Sequence, residues 1–206
     1  SWSRRPAKFV RTHSRVADEI DAEVHAYVDA WRDDALVADG TVVPPEVVTE
    51  AALRAAEEYP RKRLLVHYVQ PHYPFLGPTG REHFDPTTTG VGAVRRDGVE
   101  TDLLRRAYAE NLDLVLSETE RLLAGLEGLS VVSADHGELL GERLFPVPLR
   151  AYGHPNGVYV RELVRVPWLI HPGDGRRRIV AEPPVERRSV DGRAVDERLR
   201  GLGYLG

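Results

Sequence analysis

Apolar residues recur at three- and four-residue spacing over residues 18–37, where Ile20, Val24, Tyr27, Val28 and Trp31 are interleaved with acidic positions. That period predicts an amphipathic helix, stopped near Gly40. A second helix is predicted over residues 46–59, opened by Pro44-Pro45, carrying Glu46 in its first turn and closed by Pro60. The pattern then changes. Leu64 to Val69 is a short, β-rich apolar run closed by Pro71, and reads as a buried strand. Residues 70–101 are dense in Pro and Gly and read as a long loop. Residues 102–126 carry the clearest helical face, with Leu104, Ala107, Tyr108, Val115 and Leu122 among its apolar positions. Leu129 to Ser133 predicts a second buried strand, residues 136–157 a further loop rich in Gly and Pro, and Val164 to Ile170 a third strand broken by Pro167. The polar segment 172–206 is expected to wrap the surface, with a short helix near Val195–Leu202.

Helices alternating with short, continuous apolar strands predict one α/β domain with a mainly parallel sheet flanked by helices. Ligand sites in such sheets form beyond the C-terminal ends of the strands. The two richest polar clusters of the chain follow predicted strands directly.

Composition narrows the chemistry. A chain of 206 residues is long enough to bury a core. It has no cysteine, which removes disulfides and thiolate metal ligands. No run reaches the roughly 18 apolar residues of a membrane span, and Ser1 to Pro6 lacks the apolar segment of a signal peptide. Localisation is left open, a cytoplasmic place being expected if the full-length chain has no signal peptide. The net charge of −4 gives no electrostatic footing for nucleic acid. The short runs Arg61-Lys62-Arg63 and Arg176-Arg177-Arg178 read as solvated loop ends. Nothing in the sequence indicates an oligomeric state.

Three clusters carry candidate chemistry. Ser133-Ala134-Asp135-His136-Gly137-Glu138 follows a predicted strand. Its adjacent Asp135 and His136 offer a hard oxygen and an imidazole nitrogen to a divalent cation. Gly137 allows the sharp turn that lets both face one cavity, and Glu138 is placed to orient His136 from behind. A helix-capping Asp beside a locally packed His accounts for the same spacing equally well. The second cluster is Gln70-Pro71-His72-Tyr73-Pro74-Phe75, where His72 is an acid, base, anion contact or metal ligand if it is not simply structural. His67, mid-strand, reads as core. The third is Tyr152-Gly153-His154-Pro155-Asn156-Gly157, in which His154 is a ligand or substrate contact. His13, His25, His83 and His171 have no comparable context and read as surface or structural.

The order of these pieces resembles the second half of the sulfatase branch of the alkaline phosphatase superfamily. The resemblance runs over about residues 60–206: Gln70 to Phe75, a helix from Tyr108 to Leu126, Val131 to Glu138, Gly153-His154, Val166-Pro167-Trp168-Leu169-Ile170, and the ending Leu199-Arg200-Gly201-Leu202-Gly203-Tyr204-Leu205. The style is closest to arginine-rich sulfatase-like proteins of haloarchaea. It implies a doubly wound α/β domain, incomplete at its N-terminus, and a metal-dependent hydrolase or transferase acting on sulfate or phosphate esters. By resemblance Asp135 and His136 are metal ligands, His72 contacts the transferring anion, and His154 contacts the substrate or a second metal. The ion is Ca²⁺, Mg²⁺, Mn²⁺ or Zn²⁺, and the partner is a small anionic ester. The family's nucleophile motif has no match in these residues; Thr87-Thr88-Thr89 is a weak substitute, so an upstream segment is expected to supply it. The alternative reading is a non-catalytic domain of the same fold with a binding or structural role.

Overall fold

The computed structural model describes residues 7–10, 24–28, 30, 42–86, 91, 98–144, 146 and 149–185. Strand β1 (Ala7–Val10) is central to a parallel three-stranded sheet, flanked by β2 (Val24–Val28) and β3 (Leu64–Val66). Lys8, Phe9 and Val10 lie opposite Leu64, Leu65 and Val66. The chain crosses from β2 to β3 through helix α1 (Pro45–Glu58). Short helix α2 (Pro78–His83) and the long helix α3 (Thr101–Ala124) follow. Next come β4 (Ser130–Ser133), the hairpin β5 (Leu139–Leu144) and β6 (Leu149–Gly153), the single turn α4 (Arg161–Val164), and β7 (Trp168–His171). Strands β4 and β7 pair antiparallel, as do β5 and β6.

Helix α1 forms where Pro45 sets the first turn and a stripe of small apolar residues recurs at helical spacing. It buries Val47, Val48, Ala51, Ala52 and Ala55 and contacts β1, β3 and α3. Thr49 sits in mid-helix with no exposure. It is tolerated because its hydroxyl reaches the Pro45 carbonyl at 3.1 Å and the Tyr68 hydroxyl at 2.8 Å. A second core lies below the candidate site, where Tyr73 and Phe75 pack edge to face at 5.2 Å against Leu104, Ala107 and Val91.

The molecule is a mixed α/β protein, but the expected doubly wound parallel sheet is not seen among the described residues. The parallel part has three strands, and β4–β7 is an antiparallel pair of its own. The helix expected over 18–37 is a strand at Val24–Val28; the rest of that span, apart from Ala30, lies outside the described residues. Val24, Tyr27 and Val28 suit either period, and pairing with β1 decides the outcome. The loop expected over 136–157 holds the β5–β6 hairpin, with a bulge at Gly141 (φ 97°) between Leu140 and Glu142 that broke the visible alternation. The third strand begins four residues later than expected, at Trp168, because residues 161–164 form a helical turn before Pro167. The two runs expected to be buried strands are not: β3 and β4 are half exposed. β7, expected as a strand broken by Pro167, is exposed along its length.

In the basic run at 61–63, Arg61 and Arg63 are exposed as expected, but the residue between them is not a solvated end. Lys62 is buried, its ammonium 2.9 Å from the Val180 carbonyl and 2.6 Å from Glu182. Arg61 also reaches Glu182 at 3.2 Å, and its carbonyl accepts from the Val180 amide. Together they hold the carboxyl of Glu182 below its usual range, the Lys62 hydrogen bond being the largest cause. Segment 172–185 forms no helix or strand and is pinned here and by the Val185 amide donating to the His25 carbonyl. The short helix expected near 195–202 lies outside the described residues. Among the described residues no helix is long and apolar enough to cross a membrane.

Candidate metal centre

His72 follows β3 in a turn whose two prolyl bonds, Gln70-Pro71 and Tyr73-Pro74, are cis. The turn is held from below by Asn111 of α3, which has no exposure. The Asn111 amide donates to the carbonyls of His72 (3.3 Å) and Pro74 (3.1 Å), while its oxygen accepts from the Leu76 amide at 2.6 Å. Gln70 adds a bond to the Val43 carbonyl at 3.0 Å. The His72 ring is buried, with Nδ1 2.6 Å from the Tyr73 carbonyl. A carbonyl only accepts, so Nδ1 carries the proton and Nε2 keeps its lone pair.

Asp135 and His136 leave the end of β4. The Asp135 carboxylate accepts from the His136 amide at 2.9 Å and is otherwise solvated, with 66% of its side chain exposed. His136 repeats the Nδ1 arrangement of His72: Nδ1 lies 2.8 Å from the Gly137 carbonyl, which leaves the His136 Nε2 lone pair to coordinate. Nε2 stands 3.9 Å from the second Asp135 oxygen. Gly137 is required by space as well as by the turn. A Cβ there would sit 1.9 Å from the Glu162 carbonyl oxygen, and the Gly137 amide donates to Leu163 at 2.8 Å.

Glu138 turns inward, with 5% of its side chain exposed. It does not orient His136, as the spacing suggested. Both its oxygens lie 3.2 Å from Nδ1 of His154, which leaves the hairpin just after Gly153 (φ 79°). The His154 ring stands 4.4 Å from that of His136 and 5.5 Å from that of His72, between centroids. One ligand atom each from His72, Glu138 and His154 fall within 4.8 Å of one another. Atoms bound at about 2.1 Å to a single ion lie about 3.4 Å apart, so a modest inward movement of side chains would close this set on a cation.

The electrostatics fit such a centre. The Glu138 hydrogen bond, foremost, raises the pKa of His154 above the ordinary 6.5, while burial lowers that of His72 below it. A buried carboxylate thus balances a proton on His154, and a cation at the same place would replace that proton. Tyr108, on α3, has its phenol pushed up to about 12, first by burial and then by the charges of Glu138 and Asp135. It stays a hydrogen-bond donor at neutral pH.

All four sequence-selected residues therefore reach one region. His72 and His154 belong to the tight set, His136 stands beside it, and Asp135 lies on its solvent side. Sequence reasoning gave Glu138 the wrong partner and passed over Asn111, which no local motif marks because its acceptors lie in another segment. Thr87 to Thr89 lie outside the described residues. No family model, curated protein or solved structure matches the chain.

Proposed function

We propose that this chain carries the metal-binding side of a hydrolase or transferase acting on sulfate or phosphate esters. One observation carries the reading: His72, Glu138 and His154, from three separate segments, converge with His136 at the ends of β3 and β4. His72 would hold the ion through Nε2, with Glu138 and His154 completing the set. The donors are imidazole-rich, which favours Zn²⁺ or Mn²⁺ over Ca²⁺ or Mg²⁺. When bound, such an ion polarises an ester oxygen and lowers the pKa of an attacking hydroxyl or water. Glu138 keeps the site anionic, so the cation is retained. The protonated Tyr108 would face the developing negative charge as a donor. Asp135 remains on the solvent side, where an ion shared with His136 Nε2 would complete a second position. The nucleophile is assigned to a segment beyond these 206 residues, in keeping with the sulfatase-like resemblance.

The first test is thermal stabilisation and metal content. Zn²⁺ or Mn²⁺ should raise the melting temperature of the wild-type chain, by linkage to the folded state, and not that of Glu138→Gln. Stabilisation by neither ion would sink the metal reading. Aryl sulfate and aryl phosphate hydrolysis by the chain carrying its upstream segment would then identify the ester; turnover of neither by the metal-loaded protein would leave the non-catalytic reading. That reading has one observation in its favour. Ser133, the hydroxyl nearest Asp135 in sequence, is engaged at 2.7 Å with the Pro167 carbonyl.

A further inference from the structure

A groove of about 890 Å³ opens between β3 and β4, and its construction is unlike that of a small-molecule pocket. Every residue from Lys62 to His72 borders one side and every residue from Glu127 to Glu138 the other. Side chains of a strand alternate between faces, so an unbroken run of bordering residues means that the edge of each strand faces the space. Neither edge is paired among the described residues: β3 is the last strand of its sheet, and β4 has only β7. The floor is α3 from Tyr108 to Leu123, a length of about 23 Å, continued by Leu126 in the turn that follows. Leu112 and Leu116 line it at 37% and 45% exposure. On the walls Leu65 (47%) and Val131 (45%) are likewise uncovered. Gln70, at the end nearest the metal centre, is buried with an Oε1 that has no hydrogen-bond partner.

We propose that this groove seats an extended polypeptide strand that pairs with β3 and β4 at once and joins them into one sheet. Three observations select this occupant. The outward N–H and C=O groups of two strands need partners, and an alkyl chain or aromatic ligand would cover them without bonding them. The floor length matches about seven residues of extended chain at about 3.3 Å each. The exposed leucines of α3 form the apolar layer on which a sheet face rests. The occupant is therefore an apolar, β-branched segment supplied from outside these residues, recognised through its backbone. The inference concerns the groove and not the ion, so the two fail separately.

The experiment uses the whole 206-residue chain without added metal. The probe is a capped peptide of about seven residues alternating Val and Thr, which can enter in either direction. A second version is N-methylated at alternate residues. Hydrogen exchange is read at Leu65, Val66, Val131 and Val132. The expected result is at least tenfold slower exchange on both walls with the free-backbone peptide, no change with the methylated one, and loss of the effect in Leu116→Arg. That variant alters an exposed position and leaves the melting temperature unchanged. Protection of neither wall, or of one wall alone, overturns the proposal. So does equal protection by the methylated peptide, or by n-decanol, which would make the groove a plain apolar pocket.

Discussion

Nδ1 of His154 stands equidistant, at 3.2 Å, from the two carboxylate oxygens of Glu138. The pair closes on itself across the β5–β6 hairpin and lies within reach of His72 and His136. Several expectations follow from that one contact and from the loops that aim it.

Removing the carboxylate while keeping its shape isolates the contact. In Glu138→Gln the pKa of His154 should fall back toward 6.5, because its largest raising cause is gone. Zn²⁺ affinity should drop by about tenfold or more. NMR titration of the His154 ring and calorimetric metal titration read the two effects; an unmoved His154 would assign its shift to another group.

The histidines also set opposing pH dependences in the metal-free chain. His154 has a raised folded pKa, so its contribution is complete below 6.5 and is lost as pH rises through the folded value. His72 has a lowered folded pKa, so its contribution is complete above 6.5 and is lost as pH falls through the folded value. Their sum peaks near 6.5. Urea unfolding from pH 5 to 8 should show a stability maximum there, and its low-pH limb should disappear in His72→Phe while the high-pH limb stays.

Metal binding should compete with the His154 proton. Affinity for Zn²⁺ should therefore rise with pH above 6.5, up through the raised pKa of His154, with net proton release. Calorimetry in buffers of different ionisation enthalpy counts those protons; a count of zero would place the ion away from the Glu138–His154 pair.

Asn111 offers a test remote from the ligands. Asn111→Ala strands the partly buried Leu76 amide and the His72 and Pro74 carbonyls. The cost should be about 2–3 kcal/mol in urea unfolding, with weaker metal binding as the His72 turn loosens. Gly137→Ala should cost about 1–3 kcal/mol, since its methyl meets the Glu162 carbonyl rather than a side chain able to move aside. Near-wild-type stability in either variant would contradict the packing described.

What the sequence disclosed follows from range. Helices α1 and α3 were legible because each carries its own apolar stripe and its own breakers. The end of β4 was legible as a site because Asp135, His136 and Gly137 are adjacent and the turn is local. Strand β2 was misread because Val24, Tyr27 and Val28 fit two periods, and only the partner strand chooses between them. The hairpin was hidden by the glycine that shapes its bulge. Lys62 was misjudged because the groups that neutralise it, the Val180 carbonyl and Glu182, lie more than a hundred positions away. Shorter separations, 16 positions between Glu138 and His154 and 39 between His72 and Asn111, were enough to hide that partnership and that clamp.

That clamp has a consequence for the order in which the molecule assembles. The His72 turn acquires its shape only once α3 has docked against it, and His154 arrives only after the hairpin has closed. The convergence of the centre thus depends on contacts between separate parts of the chain, the kind that form slowly because loops must close first. Ion affinity would then appear late in refolding, and a fluorescent metal indicator would serve as a clock for the last step of folding rather than for the first collapse.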